Sequence, residues 1–298
     1  MTADSLVAGA IAILETPEPA DKVAASHALA ALWRGGGLAY HSAREDRARE
    51  NHSGDEDRAG TAGCRPLPPA RPARPARPEL RFPRDMPKRR AGGERASRIA
   101  LLHAIAHIEL NALDLAWDLV ARFAGPPLPR ELCDDWVRVA DEEALHFTLI
   151  SARLASLGAA YGDLPAHDGL WQAAEATAGD LLARLAVVPM VLEARGLDVT
   201  PPMIEKFRAA GDLETVAALE VIYRDEIGHV ASGSRWFRHL CAERGLPPQE
   251  TWQAEVRQHF KGVLKPPFNG PARGEAGLPT TFYLPLAPRN GPGSAGPG

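Results

Sequence analysis

A chain of 298 residues with 45% hydrophobic and 24% charged residues has close to ordinary globular composition, which forces neither a fibrous nor a disulfide-stapled reading and allows a sizeable core. A formal charge of −4 gives no overall attraction to nucleic acid or anionic membrane. Twenty-seven Pro and 27 Gly are too many for a uniformly helical chain, so part of it is expected to be loop or linker.

In chain order, the first segment, residues 1–34, reads as one or two short helices: Leu6, Ala10, Ile13 and Leu14, then Val23, Ala24, His27, Ala28 and Trp33, recur at helical spacing around Pro17 and Pro19. The short apolar stretch Leu6–Leu14 has no basic segment before it, and no run of about 18 apolar residues occurs. Neither a signal peptide nor a membrane span is expected. Cys64, Cys133 and Cys241 are odd in number and form no CxxC pair, which argues against disulfides and thiolate metal sites and fits a cytoplasmic location.

Residues 35–95 lose periodicity. The near-repeat Arg71-Pro72-Ala73-Arg74-Pro75-Ala76-Arg77-Pro78 has too little apolar surface to offset its ordering entropy, so a disordered Pro/Gly/Arg-rich linker is expected. Helical periodicity returns over residues 96–245 in four blocks, about 95–123, 133–158, 168–195 and 212–244, with Asp134, Asp168 and Asp212 as expected N-caps. A short helix from Pro202 to Ala210 is expected after Thr200-Pro201. Residues 246–298 read as a short helix and an irregular Pro/Gly-rich tail.

Two Glu-x-x-His motifs, Glu143-Ala144-Leu145-His146 and Glu226-Ile227-Gly228-His229, put a carboxylate and an imidazole on one helix face. Glu109 precedes Glu143 by 34 residues, Glu193 precedes Glu226 by 33, and the two His lie 83 apart. The chain thus reads as two helical hairpins carrying the same ligand set. Each carboxylate lies on an apolar stripe, such as Leu102, Ile105, Ala106, Glu109 and Leu113 in the first block. In the third block Pro189 is expected to kink the helix just before Glu193.

Four inward carboxylates are costly unless neutralised, and two divalent ions would balance them. Oxygen and imidazole donors without thiolate favour iron, with manganese or a mixed pair as the alternative. One Glu from each of two helices, with Glu-x-x-His from each of the other two, is the general pattern of ferritin-like carboxylate-bridged di-metal bundles. Glu142 and Asp225, each just before a motif glutamate, are expected to accept a hydrogen bond from the outer nitrogen of a ligand histidine. Tyr223, three residues before Glu226, is a candidate proton or electron donor, with a core aromatic as the plainer reading. His103 and His107 fall off the Glu109 face and are expected to pack or touch substrate.

The segments Leu101 to Glu109, Asp141 to His146, Leu192-Glu193-Ala194-Arg195-Gly196-Leu197-Asp198 and Arg224 to His229, with Trp236-Phe237, resemble signatures of the ferritin-like superfamily. They are more closely similar to an uncharacterised bacterial family of ferritin-like domain proteins, over about residues 70–270 and the N-terminal helices. The resemblance implies an all-α fold: a ferritin-like antiparallel four-helix bundle with extra N-terminal helices. A di-iron oxidoreductase is then expected, using dioxygen or peroxide to hydroxylate or desaturate a small-molecule or RNA substrate, with an electron-donor protein as a possible partner. Iron handling or peroxide scavenging, a tRNA-modifying hydroxylase drawn from the basic linker, and a helical binding protein with an empty or zinc-filled site are the alternatives.

Overall fold

A computed structural model describes residues 4–41, 67–82, 85–86 and 95–288. The described chain is all-α: its only extended pairing is an isolated bridge between Leu80 and Ala166. It divides into two compact units, residues 1–181 with 204–222, and residues 182–203 with 223–298.

The first unit begins with α1 (Leu6–Leu14), whose start is capped by Ser5 Oγ accepting from Ala8 N at 3.1 Å, and α2 (Pro19–Arg34). α1 is apolar on nearly every side and is buried accordingly. It packs on α3 (Arg95–Phe123), α2 packs on α4 (Arg130–Ser156), and α3 packs along α4. α3 is long and apolar enough to cross a membrane, but 72% of that stretch is buried within the protein, as in a core helix. α5 (Gly169–Ala176) follows.

The linker expected over residues 35–95 is only partly within the described residues, and its described part is not loose. Residues 67–82 lie across the first unit. Ala73 N donates to Leu14 O at 2.8 Å, and Trp171 Nε1 donates to Ala70 O. The fully buried Lys22 meets Asp114 at 2.5 Å and also donates to Ala73 O. Arg74 completes the cluster, 2.9 Å from Asp114 and donating to Asn111 Oδ1. Pro72 and Pro78 are buried, and backbone and charged hydrogen bonds hold the rest of the segment, which periodicity does not detect.

In the second unit, α6 (Leu181–Val187, whose first residue belongs to the first unit) runs into a π-helical turn, Val188–Glu193. Pro189 lacks the N–H a regular ladder needs, and the wider turn absorbs the defect, so the expected kink takes this form. α7 (Ala194–Ala209) and α8 (Leu213–Glu243) each begin in one unit and end in the other. α8 carries Gly233 where a Cβ would come within 2.4 Å of the Pro189 ring. α9 (Pro248–His259), α10 (Gly270–Glu275) and α11 (Thr280–Tyr283) complete the unit, burying Trp252, Leu278, Phe282 and Tyr283. The expected irregular tail is therefore folded through its described part.

Three local expectations need correction. The block 168–195 is not one helix: α5 ends at Ala176, and Thr177 Oγ1 turns back to Ala173 O at 2.8 Å. Asp134 lies inside α4, not at its cap, and accepts from Trp33 Nε1 at 2.7 Å. Pro201 and Pro202 do not open a new helix but sit inside α7. Pro201 has no N–H for Leu197 O, and Asn269 Nδ2 supplies the missing donor at 3.1 Å. Asp212 does cap α8, accepting from Thr215 N.

Candidate metal centre

The first candidate donor set belongs to the first unit. The α3 stripe Leu102, Ile105, Ala106 faces the core, and Glu109 continues it, so its carboxylate is drawn in with only 3% exposure. α4 delivers Glu143 and His146, both fully buried, one helical turn apart. His146 Nδ1 lies 3.4 Å from Glu109 Oε2 and 3.4 Å from Glu143 Oε2.

The second set belongs to the second unit. α8 supplies Glu226 and His229, the imidazole fully buried, with Nδ1 3.9 Å from Glu226 Oε2. The π-helical turn supplies Glu193, half-buried. In each set the donor atoms lie within 4.8 Å of one another.

This spacing fits a metal ion. Donors about 2.1 Å from one cation are about 3–4.2 Å apart, depending on whether they are adjacent or opposite. Carboxylate oxygen with imidazole nitrogen, and no thiolate, is a donor set for a divalent first-row ion. Burial pushes the Glu109 carboxyl up to about 7; the nearby His146 imidazole opposes this and the neighbouring Glu143 charge adds to it. Gathering acidic groups in a dry interior in this way is unfavourable without a cation.

Other candidates have other surroundings. Glu142 accepts from Arg138 at 2.6 Å and Asp225 from Arg224 at 2.9 Å, one turn and one residue away on their own helices. Tyr223 Oη accepts from Asn269 Nδ2 at 2.9 Å. His107 donates from Nε2 to His167 O at 3.1 Å, which leaves Nδ1 to accept from Tyr161 Oη at 2.8 Å. His103 Nε2 accepts from Gly162 N, and its ring stacks on Tyr161. These two histidines thus form a packing cluster with Tyr161, as expected of residues off the Glu109 face.

Sequence reasoning missed the polar core of the second unit. Arg273, 3% exposed, makes a two-pronged contact with Asp198 at 2.8 and 2.7 Å, and Asn269 N donates to the same carboxylate. Asp198 ends the signature that begins at Leu192, which was the available signal; Asn269 and Arg273 lie in a Pro/Gly-rich stretch without periodicity.

The sequence matches the family described as "Protein of unknown function (DUF455)" over residues 15–284. It is 45% identical over 206 residues to an uncharacterized protein of Haemophilus influenzae, covering 66% of this chain and 69% of that protein. No solved structure matches it. With nearly the whole chain spanned, the protein belongs to the DUF455 family.

Proposed function

We propose that this protein is a ferritin-like, di-iron carboxylate oxidoreductase of the cytoplasm, binding one iron at each ligand set, with manganese as the competing metal. The four ligand-bearing helical segments would be the four helices of that bundle. The observation carrying the reading is the recurrence of one donor set, two glutamates and a histidine, in each unit, with every member buried except the half-buried Glu193.

When bound, the iron pair supplies the redox chemistry that activates dioxygen or peroxide toward hydroxylation or desaturation of a substrate. The chain's own residues do the rest. Glu109, Glu143 and His146 fix one coordination geometry, Glu193, Glu226 and His229 the other, and the apolar stripes around them exclude water. Glu142 and Asp225, each next to a motif glutamate and bound by an arginine, would serve to orient the ligand imidazoles, and Tyr223 lies on the face of α8 that bears Glu226. An electron-donor protein is the partner that this reading calls for.

An RNA substrate is less favoured, because the basic segment is largely committed within its described part. Arg71 pairs with Asp168 and Glu175, Arg74 with Asp114, and Arg81 with Glu79. The test is stopped-flow mixing of the anaerobically iron-loaded protein with dioxygen. An optical transient requiring both motif glutamates supports the oxidoreductase; loading well beyond two irons per chain, or fast peroxide turnover without substrate, would replace it with iron handling.

A further inference from the structure

The signature Leu192-Glu193-Ala194-Arg195-Gly196-Leu197-Asp198 contains one proposed ligand, yet its last three residues organise a separate structure within the second unit. Gly196 passes beside Glu226: a Cβ there would lie 3.9 Å from both Cδ and Oε2 of that carboxylate. Leu197 offers the carbonyl freed by Pro201, and Asn269 Nδ2 takes it at 3.1 Å. Asp198 binds Arg273 through both oxygens and accepts from Asn269 N at 2.9 Å. The Arg273 guanidinium is itself held over the rings of Phe268 and Tyr283.

Asn269 is therefore locked at three points, and its amide has one orientation. Oδ1 accepts from Ala272 N at 3.3 Å, one Nδ2 proton goes to Leu197 O, and the other goes to Tyr223 Oη at 2.9 Å. A phenol oxygen that accepts in this way keeps its own O–H to donate elsewhere. Tyr223 and Glu226 are three apart on α8 and so share a face, and residues 196–198 of α7 run beside Glu226 at Gly196 and bind Asn269 at Leu197 and Asp198.

We infer that Asn269 is a positioning residue that fixes Tyr223 as a hydrogen-bond donor to an exogenous anionic ligand of the metal held by Glu193, Glu226 and His229. The C-terminal segment, through Arg273 and Asp198, holds Asn269 in place. This assignment rests on the metal-binding reading above. It gives the sequence signature a second purpose: Glu193 supplies a ligand, and Gly196 to Asp198 anchor the group that recognises what the metal binds.

The test is optical titration of the ferric, iron-loaded full-length protein with azide, alongside iron analysis. Tyr223→Phe removes the donor without disturbing packing, and Asn269→Asp replaces the donor to Oη by an acceptor that draws the phenol proton to itself. Each is expected to weaken azide binding about tenfold or more, as for loss of a hydrogen bond to a charged group, at unchanged iron content. The double variant should be no weaker than Tyr223→Phe alone, because both changes remove one interaction. Azide affinity unchanged in Tyr223→Phe, or additive losses in the double variant, would overturn the inference while leaving the metal site intact. A wild-type chain that binds no iron would instead defeat the metal reading itself.

Discussion

Removing one member of a buried ion pair costs more than the pair contributes, because a charge is left in the interior without compensation. Asp198 and Arg273 are such a pair. Asp198→Asn, which leaves the Arg273 guanidinium buried without a carboxylate, is expected to lower the unfolding free energy by about 3–5 kcal/mol in urea titration, Arg273→Met by less because Arg195 still faces Asp198 at 3.3 Å, and the two combined by less than the sum of the singles. Asp212 gives a pH-dependent case. Burial raises its pKa, but hydrogen bonds from Thr215 and the charge and hydrogen bond of Arg153 outweigh this, so the folded value lies below the ordinary 3.8. A carboxyl depressed on folding contributes stability above its unfolded pKa and loses it as pH falls through the folded one. Chemical denaturation of Asp212→Asn should therefore show a deficit at neutral pH that shrinks below about pH 3.8.

At the scale of elements, Pro189 and Gly233 are one device: the proline opens the π-helical turn, and the glycine lets α8 approach its ring. Gly233→Ala should destabilise by about 1–3 kcal/mol through overpacking, and Pro189→Ala should recover part of that loss in the double variant. Pro189→Ala alone permits a regular helix, which rotates Glu193 by about 100° relative to the rest of its turn. Iron content should then fall by about one ion per chain, as measured by metal analysis. The kink at Pro189 was legible because proline acts locally, through its own missing N–H. The prolines of α7 were misread for the opposite reason: the donor replacing the lost N–H comes from Asn269, far along the chain. Residues 67–82 were misread for a related reason, since Lys22, Asp114 and Arg74 meet only after folding.

Across the whole molecule, the legible part of the candidate site was the part written as helix periodicity. Glu109, Glu143, His146, Glu226 and His229 are buried where their apolar stripes placed them, and Glu193 joins the last two. The surrounding polar architecture, above all Asn269 and Arg273, carries no period and had no signature. If each unit holds a metal, chelation should remove a binding contribution available only to the folded chain. A lower melting temperature after chelator treatment, restored by ferrous iron, is the expected result by calorimetry.

The most direct measurement is the number of ferrous ions bound per chain after anaerobic reconstitution and removal of excess metal. Two are expected for the wild type and about one each for Glu143→Ala and Glu193→Ala, one variant in each donor set. Equal metal retention by all three proteins, or none by the wild type, would contradict the account.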